Sequence, residues 1–282
     1  MRLALAAHSA QTKYSPEENP FQTLIVDVTH QCNRRCKGFH TFDCDLPGMD
    51  LDWLCSILAR LPRRTRIGIF GGEATTQQDL PKLIGRVRRL GHTPLLLTNG
   101  LKIANHNYLK TLKQAGLRTV YLSFNGGFND QMYQAIDNLA CANLKRRALE
   151  NLIVEDMYIS IGMILVRGMN EPQFRDVYSY ARTIQQIYEL KVRSVGLLAR
   201  HIDTNPFSLA EMIQLFSRVS GVEEAWIHAQ RAHPTAVNFQ LDRLNVRLTQ
   251  WPDLGSPDQG WLALDGTLQP FFEHMLVNDG GY

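Results

Sequence analysis

Short apolar, β-branched runs alternate with amphipathic stretches along roughly the first 200 residues, and no other feature limits the possible folds as strongly. The apolar runs cover residues 23–29, 66–70, 94–97, 119–124, 158–165 and 194–198. Each reads as a strand, because such side chains suit a buried pleated surface. Helical patterns lie between them, near 51–61, 79–90, 105–115, 129–151 and 172–189. Strands separated by helices pair in parallel through right-handed crossovers. Strands apolar on both faces expect helices on one side and a barrel interior on the other. The expected fold class is α/β, a partial (β/α)6 barrel over residues 23–204. Residues 1–22, polar with Pro16 and Pro20, read as an N-terminal arm. Beyond about residue 205 the alternation weakens and Pro, Gly and Trp become frequent. Residues 205–282 therefore read as a C-terminal extension packed on the barrel, with one helix near 208–219.

A chain of 282 residues with 44% hydrophobic content can bury a core of this size. The formal net charge of +3 is too small to indicate nucleic acid. Basic clusters at Arg63 and Arg64, at Arg86, Arg88 and Arg89, and at Lys145, Arg146 and Arg147 read as solvated helix faces. The apolar run at 3–7, behind Arg2, is too short for a secretory or membrane segment, and no later stretch reaches membrane length without charges. The five cysteines, an odd number, argue against a disulfide framework. A reducing cytoplasm, where thiols stay available as ligands, is the expected compartment. Cys55 and Cys141 fall in helical patterns and read as small core residues.

Sheets of this type place ligands at the carboxyl ends of the strands. The chemically distinctive residues all follow strands: Cys32 and Cys36 the first, Gly72 and Glu73 the second, Asn99 the third, Asn125 the fourth. Arg200 and His201 follow the last apolar run and face the same end.

The C-x3-C pair at Cys32 and Cys36, followed about forty residues later by Gly71, Gly72 and Glu73, resembles the radical S-adenosylmethionine (radical SAM) superfamily. The likeness extends over about 23–200 and takes in Thr98, Asn99 and Gly100, Ser123 to Gly126, and the segment 162–170. It implies an enzyme in which three thiolates bind a 4Fe–4S iron–sulfur cluster and the fourth iron chelates S-adenosyl-L-methionine. Reductive cleavage then gives a 5′-deoxyadenosyl radical that abstracts hydrogen from a substrate, here unknown. An electron donor such as a flavodoxin or ferredoxin is the implied partner. The implied cofactor-binding residues are Gly71, Gly72, Glu73, Ser123, Asn125 and Arg200: glycines for close backbone approach, Glu73 to balance an ammonium, and Ser123 and Asn125 for ribose hydroxyls.

The motif departs from the family at its third position, where Phe39 stands in place of a cysteine and cannot ligate iron. Cys44 can substitute, giving metal ligands Cys32, Cys36 and Cys44. His40 is a second candidate ligand. In the third reading the cluster site is damaged, and the chain is a non-catalytic variant that binds S-adenosylmethionine or a partner.

Overall fold

The computed structural model describes residues 12–36, 48–195, 204–250 and 258–270. After the N-terminal arm the described residues form five β/α units and a sixth strand. Strand β1 (Thr23–Asp27) leads to helix α1 (Leu51–Leu58), β2 (Arg66–Phe70) to α2 (Leu80–Arg89), and β3 (Thr93–Thr98) to α3 (His106–Gln114). Strand β4 (Thr119–Ser123) is followed by two helices, α4 (Asp130–Asp137) and α5 (Ala142–Val154). Strand β5 (Tyr158–Leu165), helix α6 (Glu171–Thr183) and strand β6 (Ile187–Ser194) complete the series. Helices α7 (Leu209–Ser220) and α8 (Glu224–Ala229) precede two hairpins, β7 (Ala236–Leu241) with β8 (Leu244–Thr249), and β9 (Gln259–Leu262) with β10 (Leu268–Gln269).

Strands β1 to β6 pair in parallel and in sequential order. The hairpins add to opposite edges: β9 pairs parallel with β1, and β8 parallel with β6. Among the described residues the strands form one ten-stranded sheet, β10-β9-β1-β2-β3-β4-β5-β6-β8-β7, which does not close on itself. The C-terminal segment thus enlarges the sheet as well as contributing helices, because its four short strands supply hydrogen-bonding partners to both edges of the parallel sheet. The arm docks on one of these hairpins. Tyr14 bridges to Leu268, and Lys13 pairs with Asp265 at 2.7 Å.

The pleat sorts the strand residues onto two faces. Leu24, Val26, Ile67, Ile69, Val120, Leu122, Ile159, Ile161, Leu190, Val192, Val246 and Leu248 are buried in the main core cluster, which also takes in the inner faces of the helices. The alternate set is half-buried on the concave face: Asp27, Phe70, Leu97, Tyr121, Ser123, Glu189, Lys191, Arg193 and Arg247.

Three elements differ from the sequence expectation. The sixth strand is Ile187–Ser194, not 194–198, and the helix before it ends at Thr183. The cause is polar alternation: Glu189, Lys191 and Arg193 face the concave side, so no continuous apolar run marks this strand. The single helix expected at 129–151 is broken at Asn138, which takes a left-handed conformation with φ 55°. Finally, Lys145 is not on a solvated face but is fully buried. It shares the inward stripe with Ala148, Leu149 and Leu152, the i, i+3, i+4, i+7 pattern of a buried helix face.

Candidate functional site

At the carboxyl ends of β1 to β4 four loops are laced together. The β1 loop, which carries Cys32 and Cys36, is held against the β2 loop by main-chain bonds: Gly72 N–H donates to the Thr29 carbonyl and Glu73 N–H to the Gln31 carbonyl, both at 2.8 Å. A Cβ at position 72 would lie 2.6 Å from the carbonyl oxygens of His30 and Gln31. Only glycine permits this approach. The room at Gly72 is therefore filled, in this structure, by the backbone of the cysteine loop.

Glu73 is 2% exposed. Its Oε1 accepts from the Thr75 N–H at 3.1 Å, the Thr75 hydroxyl at 2.6 Å and the Thr98 hydroxyl at 2.6 Å; Oε2 accepts from the Asn99 N–H at 2.7 Å. The carboxylate thus clamps the β2 loop to the β3 loop. Asn99 continues the lacing by donating its side-chain amide to Asn33 Oδ1 at 2.7 Å, within the cysteine loop.

Asn125, after β4, is also buried and engaged. Its Oδ1 accepts from the Ile164 N–H at 2.9 Å, and its Nδ2 donates to Asp137 Oδ1 at 3.2 Å. The other Asp137 oxygen receives Arg34 Nη1. Arg34 sits between the two cysteines in sequence, so one carboxylate joins the cysteine loop to the β4 loop. Ser123 is half-buried, and its carbonyl accepts from Lys145 Nζ at 2.6 Å.

The electrostatics of this layer follow from burial. Cys32 and Cys36 are both half-buried and reduced. Burial pushes the Cys36 thiol up to about 12, with Arg34 pulling the other way. Burial lowers Lys145 to about 8, and the Arg34 charge adds to the effect. Burial also opposes the charge on Arg34, but Asp137 more than restores it, so the guanidinium stays charged. Arg34 Nε is buried with no hydrogen-bond partner among the described residues. Two neighbouring thiols backed by two buried cations are a fitting environment for an anionic, thiolate-bound cluster. Among the described residues no group of three or more His, Cys, Asp or Glu converges on a metal position. Phe39, His40, Cys44, Arg200 and His201 lie outside the described residues.

Sequence reasoning singled out Cys32, Cys36, residues 71–73, Ser123 and Asn125, and the structure brings these to one end of the sheet. It missed Thr98 as a Glu73 partner, and it missed Asp137 and Lys145. Helical periodicity would have revealed Lys145, whereas Asp137 carries no local signal. Cys55 and Cys141 are both buried, at 5% and 2% exposure, in keeping with a packing role.

The fold and this site define an open parallel α/β barrel with a cysteine loop after its first strand. Comparison with known proteins narrows the class. No protein-family model matches the chain. It is 32% identical over 170 residues to 7,8-dihydro-6-hydroxymethylpterin dimethyltransferase of Methanocaldococcus jannaschii, covering 55% of this chain and 32% of that protein. It is 24% identical over 214 residues to a "Probable GTP 3',8-cyclase" of Methanothermobacter thermautotrophicus, covering 71% and 68%. In three dimensions it resembles Streptococcus suis SuiB bound to S-adenosylmethionine, with a TM-score of 0.68 at 14% identity over 92% of this chain and 62% of SuiB. The chain thus spans about a third of the first relative and somewhat over three-fifths of the other two. The chain is similar to the first two proteins in sequence and to SuiB in fold.

Proposed function

We propose that this chain is a radical SAM enzyme. It holds a 4Fe–4S cluster through Cys32 and Cys36, with Cys44 as the third ligand, and binds S-adenosylmethionine at the loops that carry residues 71–73, Ser123, Asn125 and Arg200. The observation that carries the reading is the lacing of the cysteine loop to the β2, β3 and β4 loops through Gly72, Glu73, Asn99 and Asp137. A cluster and S-adenosylmethionine bound there supply reductive cleavage to a 5′-deoxyadenosyl radical and hydrogen abstraction, the electron coming from a donor such as a flavodoxin or ferredoxin. That chemistry belongs to the cofactors.

The chain's own residues position the reactants. Glu73 fixes the β2 loop against the β3 loop, so the main-chain groups of residues 71–73 face the site in one arrangement. Asp137 holds Arg34, and with it the cysteine loop, in register with Asn125. Arg34 and Lys145 supply the positive charge that favours thiolate ligands. The barrel wall keeps bulk water from the reacting centre.

Phe39 favours a second reading, a barrel that binds S-adenosylmethionine or a partner without a competent cluster. Anaerobic reconstitution separates the two. A brown protein with about four irons per chain, lost in Cys44→Ala, supports the enzyme. A colourless protein that gains iron only as Phe39→Cys supports the second reading. Full iron in Cys44→Ala would overturn the assignment of Cys44.

A further inference from the structure

The carboxylates of the barrel differ in how far their oxygens are already engaged. Glu73 accepts hydrogen bonds on both oxygens. Asp137 takes Asn125 on one oxygen and Arg34 on the other. On the concave face Glu189 takes the Ser160 hydroxyl and Lys191 on Oε2, and Asn245 on Oε1 at 3.4 Å. Asp27 differs from all three. It ends β1, half-buried on the same concave face, and its Oδ1 accepts one long bond from the Thr29 N–H at 3.3 Å. Its Oδ2 accepts none among the described residues.

We infer that Asp27 is the substrate-anchoring carboxylate of this barrel and takes a planar nitrogen group, amidine or guanidine in type, of a small molecule. The inference rests on the function proposed above and names the substrate class for the same site. Asp27 lies five residues before Cys32. A Cβ on Gly71 would be 3.1 Å from Asp27 Oδ1. The carboxylate therefore borders both the start of the cysteine loop and the loop of residues 71–73, so a group held by it is next to the reacting centre.

The surroundings select a flat, nitrogen-bearing group. Register places Phe70 of β2 level with Asp27, and Trp261 of β9 level with Ile25, the preceding concave residue of β1. Phe70 and Trp261 flank β1 from opposite sides, two strand spacings or ~10 Å apart at the backbone. Their ring centroids are nevertheless 5.9 Å apart, with the rings at 86°. The rings thus lean together across β1 and give Asp27 an aromatic floor. Ile25 fills the space below by lying across β2, where a Cβ at position 68 would be 2.4 Å from Ile25 Cδ1. Burial raises the Asp27 carboxyl, against the pull of His30 and of the Thr29 N–H. A carboxylate so poorly solvated gains most from a donor that brings positive charge and hydrogen bonds together. Carboxylate oxygens accept more than one bond each, so the Thr29 contact leaves room for two parallel N–H groups. The neighbouring aromatic rings add attraction for a planar cation.

Calorimetry on the full chain tests this with benzamidine as the probe and benzamide, its uncharged isostere, as the reference. Benzamidine is expected to bind saturably, about tenfold or more tightly than benzamide. Asp27→Asn keeps the shape and removes the charge, so the preference for benzamidine should vanish with the melting curve unchanged. Asp27→Ser, smaller and also uncharged, should lose the preference in the same way. Trp261→Leu should weaken both probes. Failure of benzamidine to bind, equal binding of the two probes to the unmodified chain, a preference that survives both Asp27 variants, or unchanged binding in Trp261→Leu would overturn the assignment. S-adenosylmethionine is titrated separately. Its failure to bind the unmodified chain, with the Asp27-dependent preference for benzamidine intact, would count against the function proposed above and leave this subsite standing.

Discussion

Arg34 and Asp137 form a buried ion pair across 103 residues of sequence, with side chains 5% and 2% exposed. Asp137 also accepts from Asn125 at 3.2 Å. The pair therefore couples the cysteine loop to the loop after β4, although neither residue touches the main-chain bonds that join the first two loops.

Removing one partner of such a pair leaves the other charge buried and uncompensated. Asp137→Ala is expected to cost roughly 3–5 kcal/mol of stability. Asp137→Asn should cost less and keep the contact to Asn125. Urea unfolding measures both, and reconstituted iron per chain should fall in the same order. Equal stability of the alanine variant and the parent would show that the pair contributes nothing.

Glu73 is expected to act through the clamp and not as a free countercharge. In Glu73→Ala the Thr98 hydroxyl and the N–H groups of Thr75 and Asn99 lose their acceptor. Each buried donor left unpaired costs on the order of 1–3 kcal/mol. Stability and S-adenosylmethionine affinity should therefore drop together. Weakened binding with an unchanged melting curve would point to direct contact between Glu73 and the cofactor.

Lys145 sets a pH dependence of stability. Its amine is held at about 8 in the folded protein, against 10.5 when unperturbed. Below about 8 both folded and unfolded chains are protonated, and the cost of the buried charge is fully present. Between about 8 and 10.5 the unfolded chain binds more protons, so stability rises with pH. The displacement is worth about 3 kcal/mol. Comparing the unfolding free energy of the metal-free chain with that of Lys145→Met from pH 7 to 10.5 should show the difference between them change by about that amount. Two parallel curves would rule it out.

Gly162→Ala should displace Tyr121, because the added methyl cannot coexist with a phenol oxygen 1.8 Å away. The ring is nearly rigid and packed against the strand, so overpacking of roughly 1–3 kcal/mol is expected. Pairing the change with Tyr121→Ala should restore most of that stability. Failure of the double variant to recover would place the strain elsewhere.

The parallel order of β1 to β5 and the gathering of Cys32, Cys36, Gly72, Glu73 and Asn125 at one end were legible in the sequence. Both depend on local periodicity and on the rule that β/α units leave their strand ends on one side. What tertiary structure alone decided has a different origin. Strand β6 was hidden because its concave face is charged, and the added strands β8 and β9 because pairing with β6 and β1 depends on distant partners. Nothing near Asp137 announces Arg34, and nothing near Glu73 announces Thr98. Such contacts come from loops that meet only once the sheet has formed. Local pattern determines which residues reach the site, and burial then determines which of them are already occupied by one another.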